Sequence, residues 1–286
     1  MTPAKVQRLS LPELAAMKAR GERIVMVTTY DAPSARLAEA AGIDVLLVGD
    51  TAAMVVFGHP STLPVTLEEM LMLTRAVTRV ARRPLVVGDL PFGSYQVSDD
   101  EAVASAVRLV KEGGADVVKL EGIGRHLSRV RAIIEAGIPV MGHIGLTPQA
   151  ATMLGGFRTQ GRTAEGARQL YETARALQSA GCFAVVLEAM PAVVATAITK
   201  ALTIPTIGIG AGPGCDGQVL VWHDLLGLSE PPLPRFVKAY ASLGAEIGRA
   251  LDGYVTDVRR GTFPGGEHTY DMAADELALF EQTLAR

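Results

Sequence analysis

Short runs of Val, Ile and Leu, apolar at every position instead of at alternate ones, recur along this chain between longer stretches whose apolar residues return every three or four positions. Continuous apolar runs of this length suit strands buried on both faces, as in a parallel sheet, and the intervening period is that of an amphipathic helix. Eight such strands are predicted, over residues 24–30, 44–50, 85–90, 116–122, 139–145, 184–190, 206–212 and 218–223, with helices over 33–41, 67–81, 99–112, 126–136, 165–180 and 192–201. The punctuation agrees. Thr66-Leu-Glu-Glu69 is a capping box, in which the hydroxyl accepts from the third helical amide and the glutamate reaches back. Gly42, Gly113, Gly137 and Gly181 each precede a strand, where a left-handed residue closes a helix. Strand and helix alternating without a break in composition predict an α/β fold, one (β/α)8 TIM barrel over residues 1–286, with a short helix at 11–19 before it and a helical extension from 234 onward. An open doubly wound sheet is the alternative arrangement, and the connection between the seventh and eighth strands is short for a βα unit.

Composition narrows the function classes. With 49% hydrophobic and 20% charged residues among 286, the chain is rich enough in apolar side chains to exclude disorder. A net charge of −3, from 27 basic and 30 acidic residues, gives no positive field for a polyphosphate and argues against nucleic acid as the main partner. Residues 182–199 form the richest apolar stretch, but Glu188 and Pro191 break it well short of the roughly 20 residues a spanning helix needs, so no membrane role is expected. The N-terminal segment lacks a hydrophobic signal core, and Cys182 and Cys215 lie far apart outside any CxxC or Cys/His pattern, which points to a reducing cytoplasm.

The charged residues then stand out by position. Asp50 ends the second predicted strand, Asp89 the third; Lys119 and Glu121 come late in the fourth, His143 lies in the fifth and Glu188 near the end of the sixth. The carboxyl end of the strands is where a barrel carries its active site. A lone strand-end Asp is commonly a turn cap, yet Asp50 and Asp89 occupy matching Val-Gly-Asp contexts on consecutive strands. Neighbouring strands lie ~4.8 Å apart, so Asp50, Asp89 and Glu121 are expected to converge on one point, where a hard cation such as Mg²⁺ or Mn²⁺ would relieve their repulsion. Lys119 and Glu121, two apart, share a face of their strand. They form either an internal ion pair or a charged element of a site, with Lys119 addressing a substrate carboxylate or enolate oxygen. His143 is either a satisfied core histidine or part of that site. Glu188 interrupts an apolar run and is placed for general base work. Gly208-Ile-Gly-Ala-Gly212 matches no nucleotide-binding fingerprint and reads as a tight turn, while 153–161 reads as either a lid or an ordinary surface loop.

At these residues the chain resembles the ketopantoate hydroxymethyltransferase family. The resemblance runs through Thr28-Thr-Tyr-Asp31, Leu47-Val-Gly-Asp50, Gly58-His-Pro-Ser-Thr-Leu-Pro-Val-Thr66, Asp89-Leu-Pro-Phe92, Val118-Lys-Leu-Glu-Gly122, Gly142-His-Ile-Gly-Leu-Thr-Pro-Gln149, Leu187-Glu188, Ile207-Gly-Ile-Gly-Ala-Gly212, Asp216-Gly-Gln-Val219 and Phe263-Pro-Gly265 to Glu267-His268. It implies a barrel of the phosphoenolpyruvate/pyruvate superfamily type, bound Mg²⁺, 3-methyl-2-oxobutanoate (ketoisovalerate) as acceptor, 5,10-methylenetetrahydrofolate as one-carbon donor, and a homodecamer. By position it also implies Asp50, Asp89 and Glu121 at the metal, Asp50, Thr51, Asp89, Lys119 and His143 at the substrate, and Glu188 as proton acceptor. Thr51 stands where the family usually has serine, which keeps the hydroxyl and adds a methyl group. A Mg²⁺-dependent 2-oxo acid lyase or mutase on the same barrel is the competing function; those families commonly carry a lid cysteine, and neither Cys182 nor Cys215 lies in such a motif. No residues are assigned to the pterin, and residues 271–286 carry no reading.

Overall fold

The computed structural model describes residues 7–121, 126–153 and 155–285. In chain order the elements are α1 (Leu11–Arg20), β1 (Ile24–Thr28), α2 (Ala32–Ala40), β2 (Val45–Val48), α3 (Ala52–Val55), α4 (Leu67–Thr78), β3 (Leu85–Asp89), α5 (Asp99–Lys111), β4 (Val117–Glu121), α6 (Leu127–Glu135), β5 (Val140–Gly145), α7 (Ala164–Ala180), β6 (Ala184–Glu188), α8 (Ala192–Ala201), β7 (Thr206–Ile209), β8 (Gly217–Leu220), α9 (Trp222–Leu226), α10 (Leu243–Arg260) and α11 (Ala274–Leu284). The eight strands pair in parallel, each with its sequence neighbour and β8 with β1, and close into a barrel. The open sheet is thereby excluded.

Period-two alternation sorts each strand into two layers. Ile24, Met26, Val45, Leu47, Leu85, Val87, Val117, Met141, Ala184, Val186, Ile207 and Val219 pack together inside the barrel. Their neighbours Val27, Leu46, Val86, Val118, Leu120, Val140, Val185 and Leu187 face the helices. Continuing the inner set by two residues gives Asp89, Lys119, His143 and Glu188, and by two more on β4 gives Glu121, so the same alternation that fills the barrel with aliphatic groups puts charge at its upper end.

Three aspartates tie the lower end. Asp44, Asp116 and Asp216 each precede an even-numbered strand and accept the backbone amide of Val25, Val86 and Thr206, respectively, on the strand before it. Each also holds a basic side chain: Arg83 at 3.1 Å, Arg8 at 2.5 Å and Lys18 at 2.7 Å.

The strands stop earlier than the apolar runs suggest, because the last residues of each run turn over the mouth and leave the ladder. Asp50 lies two residues beyond β2, and His223 belongs to α9 instead of to β8. The predicted strand end at Gly122 falls outside the described residues. The Thr66/Glu69 capping box forms as expected. Gly42, Gly137 and Gly181 take positive φ, but after α5 that role falls to Gly114 (φ 78°) and not to Gly113, whose own Cβ would meet the Leu109 carbonyl. The turn after β7 uses Gly210 and Gly212, both with positive φ. No helix occupies 210–216, so Val25 and Gln218 remain exposed on the outer face of β1 and β8. Every residue of α10 after Leu243 is exposed.

Candidate active site

A cavity of about 40 Å³ opens at the upper end of the barrel, and Asp50, Thr51, Asp89, Lys119, Glu121, His143 and Glu188 all line it. Each site residue expected from sequence is therefore in one place. Asp89, Lys119, Glu121 and His143 are buried, as is Asp50.

Register sets the first contacts. Asp89 lies opposite Lys119, and the ammonium sits 2.7 and 2.6 Å from its two carboxylate oxygens. Burial holds the Asp89 carboxyl above its ordinary range even with an ammonium on both oxygens, while the surrounding acids outweigh burial at Lys119 and hold it above its own. Glu121 lies opposite His143. His143 Nδ1 is 3.4 Å from Glu121 Oε1 and Nε2 is 3.1 Å from Glu188 Oε2. Neither contact has the alignment of a hydrogen bond, so the attraction is that of charge at close range. Burial disfavours the imidazolium, yet the two glutamates outweigh it and push His143 up to about 9. The same histidine, with Lys119 and the Gln149 amide, overcomes burial at Glu121 and holds that carboxyl below its usual range.

Asp50 reaches the cavity from a turn. Its amide donates to Asp89 Oδ2 at 3.4 Å, and Thr51 starts α3 without its hydroxyl capping the helix. Burial first, then repulsion from Asp89 and Glu121, drives the Asp50 carboxyl well above the ordinary range. The expected convergence of Asp50, Asp89 and Glu121 on one point is not what the side chains adopt. Gln149 is inserted between two of them: its Nε2 donates to Asp50 Oδ2 and its backbone amide to Glu121 Oε2, both at 2.9 Å. Lys119 meanwhile occupies Asp89, and among the described residues no three His, Cys, Asp or Glu side chains stand together at metal-ligand spacing. Tyr95 fixes Gln149 in turn, its hydroxyl 2.5 Å from Gln149 Oε1 and 3.1 Å from the Glu121 carbonyl oxygen.

Gln149 and Tyr95 were not assigned a role from sequence. Tyr95 lies in a loop and Gln149 in a single 3-10 turn, Pro148–Ala150, and neither has a periodicity that marks a side chain as inward; the only signal for Gln149 is its place within the Gly142-to-Gln149 stretch of the resemblance. Two backbone features serve Glu188. Gly145 lies opposite it, and a Cβ there would stand 2.1 Å from the Glu188 carbonyl oxygen. Ala189, at φ 46°, turns the chain immediately after it.

The donor set suits a hard divalent cation. Asp50, Asp89, Glu121 and Glu188 all line the cavity, and every one of these acids offers oxygen. Cys182 and Cys215 are free and buried; burial pushes Cys182 up to about 12, so it offers no thiolate near neutral pH.

Comparison with known proteins agrees with this geometry. A family model for ketopantoate hydroxymethyltransferase matches residues 8–266. The chain is 56% identical to 3-methyl-2-oxobutanoate hydroxymethyltransferase of Thermobifida fusca (strain YX), over 92% of this chain and 94% of that one. It is 57% identical to the enzyme of the same name from Moorella thermoacetica (93% and 99%). It is 55% identical to a mitochondrial form from Arabidopsis thaliana (96% and 81%). Among solved structures, phosphonopyruvate hydrolase superposes with a TM-score of 0.59 at 14% identity, covering 96% of both chains. A 2,3-dimethylmalate lyase of the PEP mutase/isocitrate lyase superfamily gives 0.58 at 16%, covering 96% of this chain and 98% of that one. The distant structures share the barrel; the close relatives and the match over residues 8–266 place the chain, an enzyme, in the ketopantoate hydroxymethyltransferase family.

Proposed function

We propose that the chain transfers a hydroxymethyl group from 5,10-methylenetetrahydrofolate to 3-methyl-2-oxobutanoate, forming 2-dehydropantoate, with Mg²⁺ as cofactor. The observation that carries this reading is the gathering of Asp50, Asp89, Lys119, Glu121, His143 and Glu188 around one small cavity in a chain of this family. Asp50 and Asp89 would hold Mg²⁺, with Glu121 beside them. When bound, the cation supplies positive charge for the carboxylate and keto oxygens of the 2-oxo acid.

The chain's own residues supply the rest. Lys119, already ionised against Asp89, places an ammonium where negative charge grows on the keto oxygen as C3 loses its proton. Glu188 accepts that proton on its carboxylate, and His143, 3.1 Å from Oε2, fixes the orientation of the acid. Water hydrolyses the folate-borne methylene to formaldehyde, breaking both carbon–nitrogen bonds and releasing tetrahydrofolate; the enolate carbon adds to the formaldehyde carbon, and the formaldehyde oxygen takes up a proton to become the product hydroxyl. The Thr51 hydroxyl, free of any capping duty, hydrogen-bonds the keto acid. C3 of this substrate is tertiary and weakly acidic, so stabilising the enolate matters more than the strength of the base.

A turnover assay with 3-methyl-2-oxobutanoate and methylenetetrahydrofolate tests the reading. EDTA is expected to abolish product and Mg²⁺ to restore it. Full activity in EDTA, together with borohydride trapping of the substrate on Lys119, would replace the metal reading with Schiff-base chemistry.

A further inference from the structure

Gln149 is 7% exposed, unusually deep for a residue type that is mostly at the surface. It sits in the Pro148–Ala150 turn after β5, yet its partners lie at the ends of the three strands before that one. Its Nε2 donates to Asp50 Oδ2, two residues beyond β2, at 2.9 Å, and to the carbonyl oxygen of Leu90, one residue beyond β3, at 3.0 Å. Its Oε1 accepts from Tyr95 Oη at 2.5 Å and from Gln96 Nε2 at 3.3 Å. Its backbone amide donates to Glu121 Oε2, at the end of β4, at 2.9 Å. An amide side chain has two N–H donors and two acceptor lone pairs, and here all four are used.

These partners dictate which way the amide faces. The Leu90 carbonyl can only accept, so the Nε2 edge turns toward it and toward Asp50. On the other side, the backbone amides of Gly93 and Tyr95 donate to Gln96 Oε1 at 2.7 and 3.3 Å, which turns the Gln96 amino group toward Gln149 Oε1. Loop backbone thus sets Gln96, Gln96 and Tyr95 set Gln149, and Gln149 sets the Asp50 carboxylate. A buried polar network satisfied in this way holds a single arrangement. Asp50 lines the cavity, and a lysine or arginine in place of Gln149 would cancel its charge. A neutral amide fixes the carboxylate and leaves the charge for a cation.

We propose that Gln149 is a positioning residue for the metal site: it holds the Asp50 carboxylate in the orientation that receives the divalent cation, and Tyr95 acts through it. The inference rests on the reading that Asp50 holds that cation. Gln149 itself does not line the cavity, so it works through Asp50 and not on the reacting atoms. Partners placed behind a metal ligand in this way commonly contribute about 10- to 100-fold in metal affinity. The contact with Glu121 comes from the backbone and survives any change of side chain, so the effect of a substitution belongs to Asp50. Tyr95 has one hydroxyl hydrogen, and the shorter of its two contacts is the one to Gln149.

Gln149→Met keeps the length and bulk of the side chain and removes every hydrogen bond that side chain makes. Binding of Mn²⁺ alone, followed by loss of the free-ion electron paramagnetic resonance signal, is expected to weaken about tenfold or more. The Mg²⁺ concentration for half-maximal turnover should rise by a similar factor, with kcat recovering to within about threefold of wild type at saturating Mg²⁺. Tyr95→Phe should weaken Mn²⁺ binding by a smaller factor and add nothing when combined with Gln149→Met. A merely structural role would lower the urea midpoint and leave Mn²⁺ affinity at the wild-type value, which overturns the proposal. A fall in kcat at every Mg²⁺ concentration with normal Mn²⁺ affinity also overturns it and assigns Gln149 to the substrates. Additive effects of the two substitutions would show that Tyr95 does not act through Gln149. If Gln149→Met does not fold, Tyr95→Phe decides, and wild-type Mn²⁺ affinity in that variant sinks the idea. Wild type that binds no Mn²⁺ overturns the metal reading itself; wild-type binding with equal affinity in both variants overturns this inference alone.

Discussion

Glu188 owes its place to three separate residues. Val186 before it fixes the inward phase of β6, Gly145 across the ladder leaves room for its carbonyl, and Ala189 turns the chain away after it. If the carboxylate forms the enolate, C3 of 3-methyl-2-oxobutanoate should exchange its proton for deuterium in D₂O without folate, because deprotonation precedes transfer. Glu188→Gln keeps the size and loses the basicity, so exchange should fall by ~10² to 10⁴ while keto-acid binding survives. Exchange at the wild-type rate in a variant that cannot transfer would move the base elsewhere, with His143 next in line. Thr51 gives a milder test: Thr51→Ser should be nearly silent and Thr51→Val should raise KM for the keto acid, whereas equal kinetics in all three would remove the hydroxyl from the site. The inward acids and the lysine were legible in the sequence because strand alternation counts them in from Val87, Val117, Met141 and Val186. Gln149 was not, since its contacts with Asp50 and Glu121 depend on how a loop folds back over the mouth.

At the scale of elements, chemistry and stability occupy opposite ends of the same strands. The upper ends gather like charges whose burial works against folding; the lower ends carry Asp44, Asp116 and Asp216, each satisfied by a backbone amide and a basic side chain. Asp116→Ala would strand the Val86 amide and deprive Arg8 of its ion pair. It should lower unfolding free energy by about 1–3 kcal/mol, measured by urea denaturation, with kcat and both KM values unchanged. A loss of activity in the still-folded variant would contradict this separation of the two ends. Strand and helix order was readable because two-sided burial leaves continuous aliphatic runs. The ends of strands were not, because Asp50 and His223 continue the run in sequence after the backbone has left the ladder. The same holds for Gly113, where the neighbouring Gly114 proved to be the left-handed residue, a distinction that composition cannot draw.

For the whole molecule, the barrel and its C-terminal extension are each incomplete. Between β7 and β8 there is no helix, and a groove of about 510 Å³ lies over that face, lined by Arg23, Val25, Pro213, Gln218 and Phe236 among others. The 18-residue α10 carries Ile247, Leu251, Tyr254, Val255 and Val258 along one stripe, all exposed. A soluble monomer rarely leaves so continuous an apolar stripe in water, and a barrel rarely leaves strand backs bare. A second copy of the chain offers each surface what it lacks, which favours a symmetric assembly in which α10 is buried; the homodecamer expected from the resemblance requires such contacts. The purified protein is therefore expected to exceed 30.1 kDa by multi-angle light scattering. Leu251→Asp, a charge at the centre of the stripe, should shift it to smaller species without removing secondary structure, because in the isolated chain Leu251 packs into no core. If wild type runs as a monomer, or if Leu251→Asp leaves the assembly intact, the stripe on α10 is not the contact, and the groove beside Phe236 must be covered from elsewhere in the chain.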